Sequence, residues 1–552
     1  MTPTFNLVHD PWILARDEGQ RCHEVSLEEL FRDISRWRGL AGEMPTQQAA
    51  VLRLLLAICH RALREDLYPD EAVEQWGEWW SEGFPTAAVI TYLERFRDRF
   101  ELFDARAPFL QVADLHTEKG STSGLTKLIA EIPDGEKFFT TRAGRGLDRI
   151  GPAEAARWLI HCQAYDPAGI KSGAVGDERV KGGKGYPSGT GWCGNLGMII
   201  AEGNTLAETL LLNLVYEKPS PEGDLPVWER EDLLSSAVDR RLSDPDRETG
   251  PVELLAWQSR RLRLFTDDEG YVVDALVCYG DRAVLQNRHG DEAMVAWRRS
   301  ANQEKKGDHG PVVYMPVTHQ PERAVWRGLE SLLAGNSSTG GPAEEASRLS
   351  PPLLRWLATV TEEEYLGRDH PIRFRAIGIE YGSQSSVISG VIDDSMHLHA
   401  GVLTSAALRS TVIDAVAATQ EAVSAVRHFA GNLQQAAGGA PEGVQERAAE
   451  RAWNVLDRPF REWAWGLTAE KDAAQALTTW HRNADRLLRE VGAELVDASA
   501  DKAWRGREVK GHVIDAPIAE GWFRSALRKA LPRAYPDPTA DKKLVSTVEE
   551  TS

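Results

Sequence analysis

Three short stretches of the chain hold residue types and spacings that suggest catalytic or cofactor chemistry. Gly189-Thr190-Gly191-Trp192-Cys193-Gly194 has the G-x-G-x-x-G spacing that lets a backbone cradle a dinucleotide pyrophosphate. It follows a long loop instead of a strand, and the bulky Trp192 stands where a cofactor would have to come close, so no nucleotide site is predicted. His397 and His399 would put two imidazoles on one strand face, but no third ligand lies near them in sequence. Core or loop histidines are the commoner explanation, and no metal is predicted. The acidic run Glu362-Glu363-Glu364 reads as a solvated helix start. G-x-S-x-G, H-E-x-x-H and G-x-x-x-x-G-K-[ST] are all absent. The expectation is a non-enzyme without a cofactor.

Two other stretches suit recognition better than catalysis. In VKGGKGYPSGTG (180–191), Gly182, Gly183 and Gly185 remove side chains while Lys181 and Lys184 add positive charge. Bare amides and lysines suit a phosphate backbone or a shallow groove; a flexible linker explains the same composition equally well. In EYGSQSSVISG (380–390), the alternating run IRFRAIGIEY leads into small residues around Gln384, and the β-branched VISGVI leads out. This reads as a hairpin with Gly382 and Ser383 supplying turn chemistry and Gln384 at or near the tip. An isolated glutamine on a turn is ordinarily a solvated loop residue.

The elements that must position these stretches fall into two textures. Up to residue 399 the chain mixes helical runs (SLEELFRDISRW with a capping box at Ser26, PTQQAAVLRLLLAICHRAL, GPAEAARWLIHCQAY) with strand runs around RLRLFTDD and GYVVDALVCYG. Residues 115–150 read as a polar loop with little capacity to form core. From about Ala400 there are four amphipathic runs, with stripes such as Trp453, Leu456, Phe460, Trp463 and Leu477, Trp480, Leu487, Val491. The fold class is therefore α+β: a large mixed domain over 1–399, a four-helix bundle over 400–535 and a disordered tail over 536–552.

At 552 residues with 42% hydrophobic and 27% charged content, the composition is that of a globular protein. Five scattered cysteines without C-x-x-C suggest neither a disulfide framework nor a zinc knuckle, and fit a reducing compartment. The N-terminus has no signal-peptide pattern and no run long enough to cross a membrane, so a cytoplasmic location is expected. A net charge of −19 argues against a freestanding nucleic-acid binder. It is unevenly spread: residues 401–552 carry 20 basic against 21 acidic side chains, leaving 44 against 62 for the first 400.

Taken in order, FNLVHDPWILAR, APFLQV, LAETLLLNLV and LLAWQ, with the hairpin and glycine loop between them, resemble the large subunit of the type I-E CRISPR surveillance complex Cascade, the CasA family. The resemblance spans nearly the whole chain. It implies a subunit that inspects double-stranded target DNA for the short PAM from the minor groove, opens the duplex to begin an R-loop, and helps recruit the helicase–nuclease. It also implies partners: the backbone, small and guide-processing subunits and the guide RNA. By local pattern the family's glycine loop falls on Gly183, Lys184 and Gly185, and its glutamine wedge on Gly382, Ser383, Gln384 and Ser385. The cationic finger, usually a lysine, falls on Arg282, which keeps the charge but presents a planar fork. KFFTTRAGR resembles the loop that reaches the backbone subunits and the guide 5′ end, through Phe139, Thr140 and Thr141. Of the zinc-binding stretch in some relatives, DALVCYGDR retains only Cys278. The alternatives are a helical scaffold or adaptor, and an enzyme whose site is assembled from scattered residues.

Overall fold

The computed structural model describes residues 3–64, 71–132, 142, 148–218, 221, 223–230, 250–282, 284–333, 346–509 and 511–535. Two compact units emerge: one of residues 1–325, 334–367 and 372–395, the other of 326–333, 368–371 and 396–552.

Two buried helices, α1 (Pro45–Ala62) and α2 (Pro152–Tyr165), pack together in the first unit, each with proline in its opening turn, where a missing N–H costs nothing. Ser26 and Glu29 form the expected capping box, Glu29 N donating to Ser26 Oγ at 3.1 Å and Ser26 N to Glu29 Oε2 at 3.0 Å. The one arginine that interrupts the apolar run of α1, Arg53, is itself buried. It donates twice to Glu292, both at 2.9 Å, and once to Leu254 O at 3.0 Å. Trp192 Nε1 completes Glu292 at 2.7 Å.

Around these helices lie small antiparallel sheets. Strands β1 (Lys171–Ser172) and β2 (Lys184–Gly185) pair with Lys171 opposite Gly185. Strand β3 (Met198–Glu202) lies beside the first arm of a long hairpin. Strands β4 (Arg260–Thr266) and β5 (Val272–Tyr279) form a second ladder, with Arg260 opposite Tyr279. The hairpin arms are β6 (Pro371–Tyr381) and β7 (Ile388–His399), and the sheet order is β7-β6-β3 with Arg375 opposite Ile200.

Two expectations need correction. The described residues from 115 onward do contribute core: Leu115, Leu125, Leu128 and Ile129 are buried, although residues 115–132 hold only turns and one 3-10 turn. Apolar side chains need a concave neighbour, not a regular element, to leave water. The acidic run Glu362–Glu364 lies exposed at the end of helix Pro352–Glu362, not at a helix start.

In the second unit, helices α3 (Ala406–Ala437), α4 (Glu442–Trp465), α5 (Ala473–Asp497) and α6 (Ala516–Ala530) form the bundle, α3 packing against the other three. The helix-forming run from Ala400 breaks at Ser405, whose hydroxyl caps α3 by accepting from Leu408 N at 3.2 Å. In α5 the buried stripe takes Leu488, while Leu487 is half-buried. His397 and His399 pack against Trp465, the latter stacked at 4.4 Å, which is aromatic packing and not a ligand pair. No helix among the described residues is long and apolar enough to cross a membrane. The 536–552 tail lies outside the described residues.

Candidate nucleic-acid interface

Lys181 and Lys184 exchange both backbone hydrogen bonds, at 3.0 and 3.2 Å, around Gly182 and Gly183. Those glycines have φ of 59° and 73°, the left-handed pair that a two-residue hairpin turn with properly twisted arms requires. A Cβ on either would meet nothing within 4 Å, so bare backbone faces outward, and Lys184 is exposed beside it. Gly185 is buried; a Cβ there would stand 3.1 Å from the Tyr279 ring.

Arg282 follows the end of β5 and is half-buried. Its neighbour Asp281 is buried in an ion pair with Arg261 at 2.7 Å, which fixes the chain at this point. Arg282, Lys181, Gly185, Arg179, Tyr186 and Tyr279 line one open cavity of 510 Å³. The glycine turn and Arg282 thus meet at one mainly basic concavity, which Asp177 also lines, in a chain whose net charge is −19. Tyr186 adds an exposed aromatic surface to its rim.

The β6–β7 tip does not line that cavity. Its turn closes through Gly382 N to Val387 O and Ser385 N to Gly382 O, both 2.9 Å. Gly382 is extended (φ −69°, ψ −163°), so the turn does not draw on its freedom, contrary to the sequence expectation. Gln384 and Ser385 take the left-handed conformation instead, at φ 55° and 54°. A non-glycine residue there costs on the order of 1 kcal/mol, so the surroundings hold the tip in this shape. The Gln384 and Ser383 side chains are exposed, while Ser385 is half-buried.

The floor beneath the tip is the segment Asp166–Ile170. Ala168 N donates to Ser385 O at 2.7 Å, and Gly169 leaves room for Ser386, whose carbonyl would lie 3.2 Å from a Cβ at that glycine. Tyr381, the last residue of β6, donates its hydroxyl to Tyr165 O at 2.7 Å. This explains the G-x-G-x-x-G spacing. A Cβ at Gly191 would lie 2.4 Å from the Ala164 backbone and one at Gly194 2.2 Å from the Tyr381 hydroxyl, so both glycines serve close packing.

One buried charge cluster ties the floor to the cavity. Asp166 accepts from Lys171 at 2.7 Å and from Arg260 Nε. Arg260 also donates to the carbonyls of Asp166, Pro167 and Gly189 at 3.0, 3.1 and 3.0 Å, and its guanidinium lies 4.8 Å over the Tyr279 ring. Tyr279 in turn donates to Ala168 O at 2.7 Å and Gly169 O at 2.8 Å. Burial alone would raise the Asp166 carboxyl; Lys171 and Arg260 outweigh it and hold the group below the usual carboxylate range.

Residues 6–491 match the family described as CRISPR-associated protein Cse1 (CRISPR_cse1). The chain belongs to the Cse1 family. The crystal structure of Thermobifida fusca Cse1 is 40% identical, covers 97% of this chain and 99% of that one, and superposes with TM-score 0.86. Cse1 from Acidimicrobium ferrooxidans is 27% identical with the same coverage and TM-score 0.78. A curated relative, CasA/Cse1 of Thermus thermophilus, is 32% identical over 338 residues, and the chain spans 60% of that protein's length. A chain of a CRISPR RNA-guided surveillance complex, 19% identical, shares the fold at TM-score 0.66.

In this Cse1-family chain, sequence reading picked out the glycine turn, Arg282 and the hairpin tip, but not what holds them. Asp166, Lys171, Arg260, Tyr279 and Arg179 (which clamps Asp177 at 2.8 Å and Gly280 O at 2.9 Å) escaped it. The one sequence signal was the adjacent Arg260-Arg261 pair opening the strand RRLRLFT. Phe139, Thr140 and Thr141 lie outside the described residues. Among the described residues, His9 comes together with Glu28 and Glu94 at the surface; the ring stands between the two carboxylates at 3.3 and 3.6 Å.

Proposed function

We propose that this chain is the PAM-reading large subunit of a type I-E RNA-guided surveillance complex. It binds double-stranded DNA from the minor groove through the Gly183-Lys184-Gly185 turn and Arg282, and opens the first base pair with the Gln384 tip. The observation that carries this reading is the exposed Gln384, held left-handed on a slender turn whose floor is tied to the basic concavity. A wedge must enter stacked bases without clashing, and Gly382, Ser383 and Ser385 leave it narrow; the amide can then hydrogen-bond groups freed when the pair parts. Minor-groove contacts distinguish few sequences, so PAM choice is tolerant and fidelity rests on guide pairing. The chain acts without catalysis, in the cytoplasm. Backbone, small and guide-processing subunits, guide RNA and the helicase–nuclease are its partners, and Phe139, Thr140 and Thr141 contact the guide end. Basic partner subunits supply most of the phosphate contacts, since this chain is acidic overall.

Two experiments test it in the assembled complex. Gln384→Ala leaves assembly and guide binding intact and slows R-loop formation on a paired target, because unstacking costs a few kcal/mol per step. A target with unpaired bases beside the PAM rescues it; equal rates on the paired target, or an equal defect on both, would return Gln384 to an ordinary loop residue. Lys184→Ala with Arg282→Ala weakens duplex binding and flattens its salt dependence. An unchanged salt slope removes both from the interface.

A further inference from the structure

A second basic concavity lies in the same unit, away from the tip. It is an open cavity of 100 Å³ whose polar lining includes Arg16, Arg38, Arg373, Arg375, Gln48 and Glu202. That is well below the roughly 300–1,000 Å³ of drug-sized pockets, so it suits a small group and not a nucleoside.

The guanidiniums differ in how far they are satisfied. Arg375 is spent: two nitrogens hold Asp393 at 2.6 and 2.7 Å, and the third reaches Gln48 at 2.8 Å. Arg373 gives one nitrogen to Glu202 at 2.9 Å and one to Ser395 Oγ at 3.2 Å. Arg38 holds the exposed Glu18 at 3.0 Å and reaches Asn204 O only at 3.4 Å. Arg16 meets Gln20 at 3.2 Å, and its Nε is buried with no hydrogen-bond partner. Gly39 makes room for it, since a Cβ there would stand 3.0 Å from Arg16 Nη2. Four guanidiniums therefore face three carboxylates, Glu18, Glu202 and Asp393, of which only Glu202 lines the cavity. A buried guanidinium nitrogen without an acceptor is costly, and a planar fork is the donor best matched to a tetrahedral oxyanion.

We propose that Arg16, Arg38 and Arg373, braced by Glu202 and Arg375, form a socket for one phosphate group. A phosphodiester of a nucleic-acid strand is its expected source. Arg373 and Arg375 project from the same face of β6, the strand that ends in the Gln384 tip. At about 3.3 Å per residue, Arg375 lies roughly 20 Å along the strand from Tyr381. The socket and its test do not depend on what the tip does.

The test uses the full chain and its R16Q/R38Q/R373Q variant, with two probes. The first is a labelled oligothymidylate, alongside the same oligomer with uncharged methylphosphonate linkages. Wild type binds the charged oligomer; the variant binds it about tenfold more weakly, the loss expected of charge-assisted hydrogen bonds. Its log K against log salt slope is flatter by about 0.7, the increment for one phosphate on a single strand. Binding of the uncharged oligomer is insensitive to the substitutions. The second probe is inorganic phosphate against chloride at matched ionic strength. A rise in unfolding temperature that the variant abolishes, with oligomer binding unchanged, assigns the socket to free phosphate. Both probes unaffected by the substitutions would overturn the proposal. If the triple variant fails to fold, R38Q/R373Q carries the same reading, since those side chains are 33% and 44% exposed.

Discussion

In the first unit, Arg53–Glu292 and Arg261–Asp281 pair with every side chain 2% exposed or less, and Asp166 joins Lys171 and Arg260 with none above 5%. In the bundle the pairs are more exposed: Arg451–Glu494 at 48% and 54%, Arg486–Glu490 at 60% each, and the more covered Arg489–Asp485 still at 39% and 15%. The bundle's interior is aromatic, with Phe460 stacked on Trp326 at 4.1 Å and edge-on to Trp480 at 5.0 Å. The contrast follows from what each unit must hold. Helices with apolar stripes find their places by non-directional burial. Short loops have too little apolar surface for that. Their positions come from directional bonds, which strengthen where water is excluded, at the cost of desolvating the charges.

The comparison can be broken first at the cluster. Asp166→Ala leaves Arg260 and Lys171 buried without their carboxylate and should cost about 3–5 kcal/mol in urea unfolding of the first unit. A loss too small to resolve would mean that water already reaches these groups.

Acidification sharpens it next. Burial holds His60 and His161 down to about 4, against 6.5 in the unfolded chain. Between those values the unfolded state binds more protons, so stability rises with pH across the window. It is fully present above about 6.5, is lost as pH falls towards 4, and changes no further from this source below that. His161→Gln keeps an acceptor for the Thr46 hydroxyl, now 2.9 Å from the ring, and should flatten the slope of unfolding midpoint against pH. An unchanged slope would remove His161 from the balance. The smallest effect belongs to the bundle surface, where Arg451→Ala should leave the thermal midpoint where it was. A clear drop there would erase the distinction between the two regions.

Legibility in sequence follows the same division. The β6–β7 hairpin, the β4–β5 ladder, the Ser26 box and the bundle helices each announce themselves within about a dozen residues through periodicity and caps. The turn at Gly182-Gly183 and the exposed Gln384 were visible for the same reason. Arg53 and Glu292 are 239 residues apart and Asp166 and Arg260 are 94 apart, and nothing local marks them as partners. Nor does composition reveal that Gln384 and Ser385, not Gly382, take the left-handed turn; the floor at Ala168 imposes that after the chain has folded. The resemblance to relatives supplied the roles proposed for these stretches, and local pattern supplied only their shapes.

The tip is held from below by main-chain groups: Ala168 N to Ser385 O, and Gly382 N to Val387 O. Such bonds do not depend on which side chains the residues carry. The tip is in effect an interchangeable cartridge, in which the outward-facing residues Ser383 and Gln384 can be rewritten by mutation without rebuilding the mount. The constraint on drift falls instead on Gly191 and Gly194, where even one added carbon would collide with the mount itself. On the proposed reading, a lineage under pressure to meet a different DNA neighbour changes what the tip presents while the scaffold beneath it stays as it is.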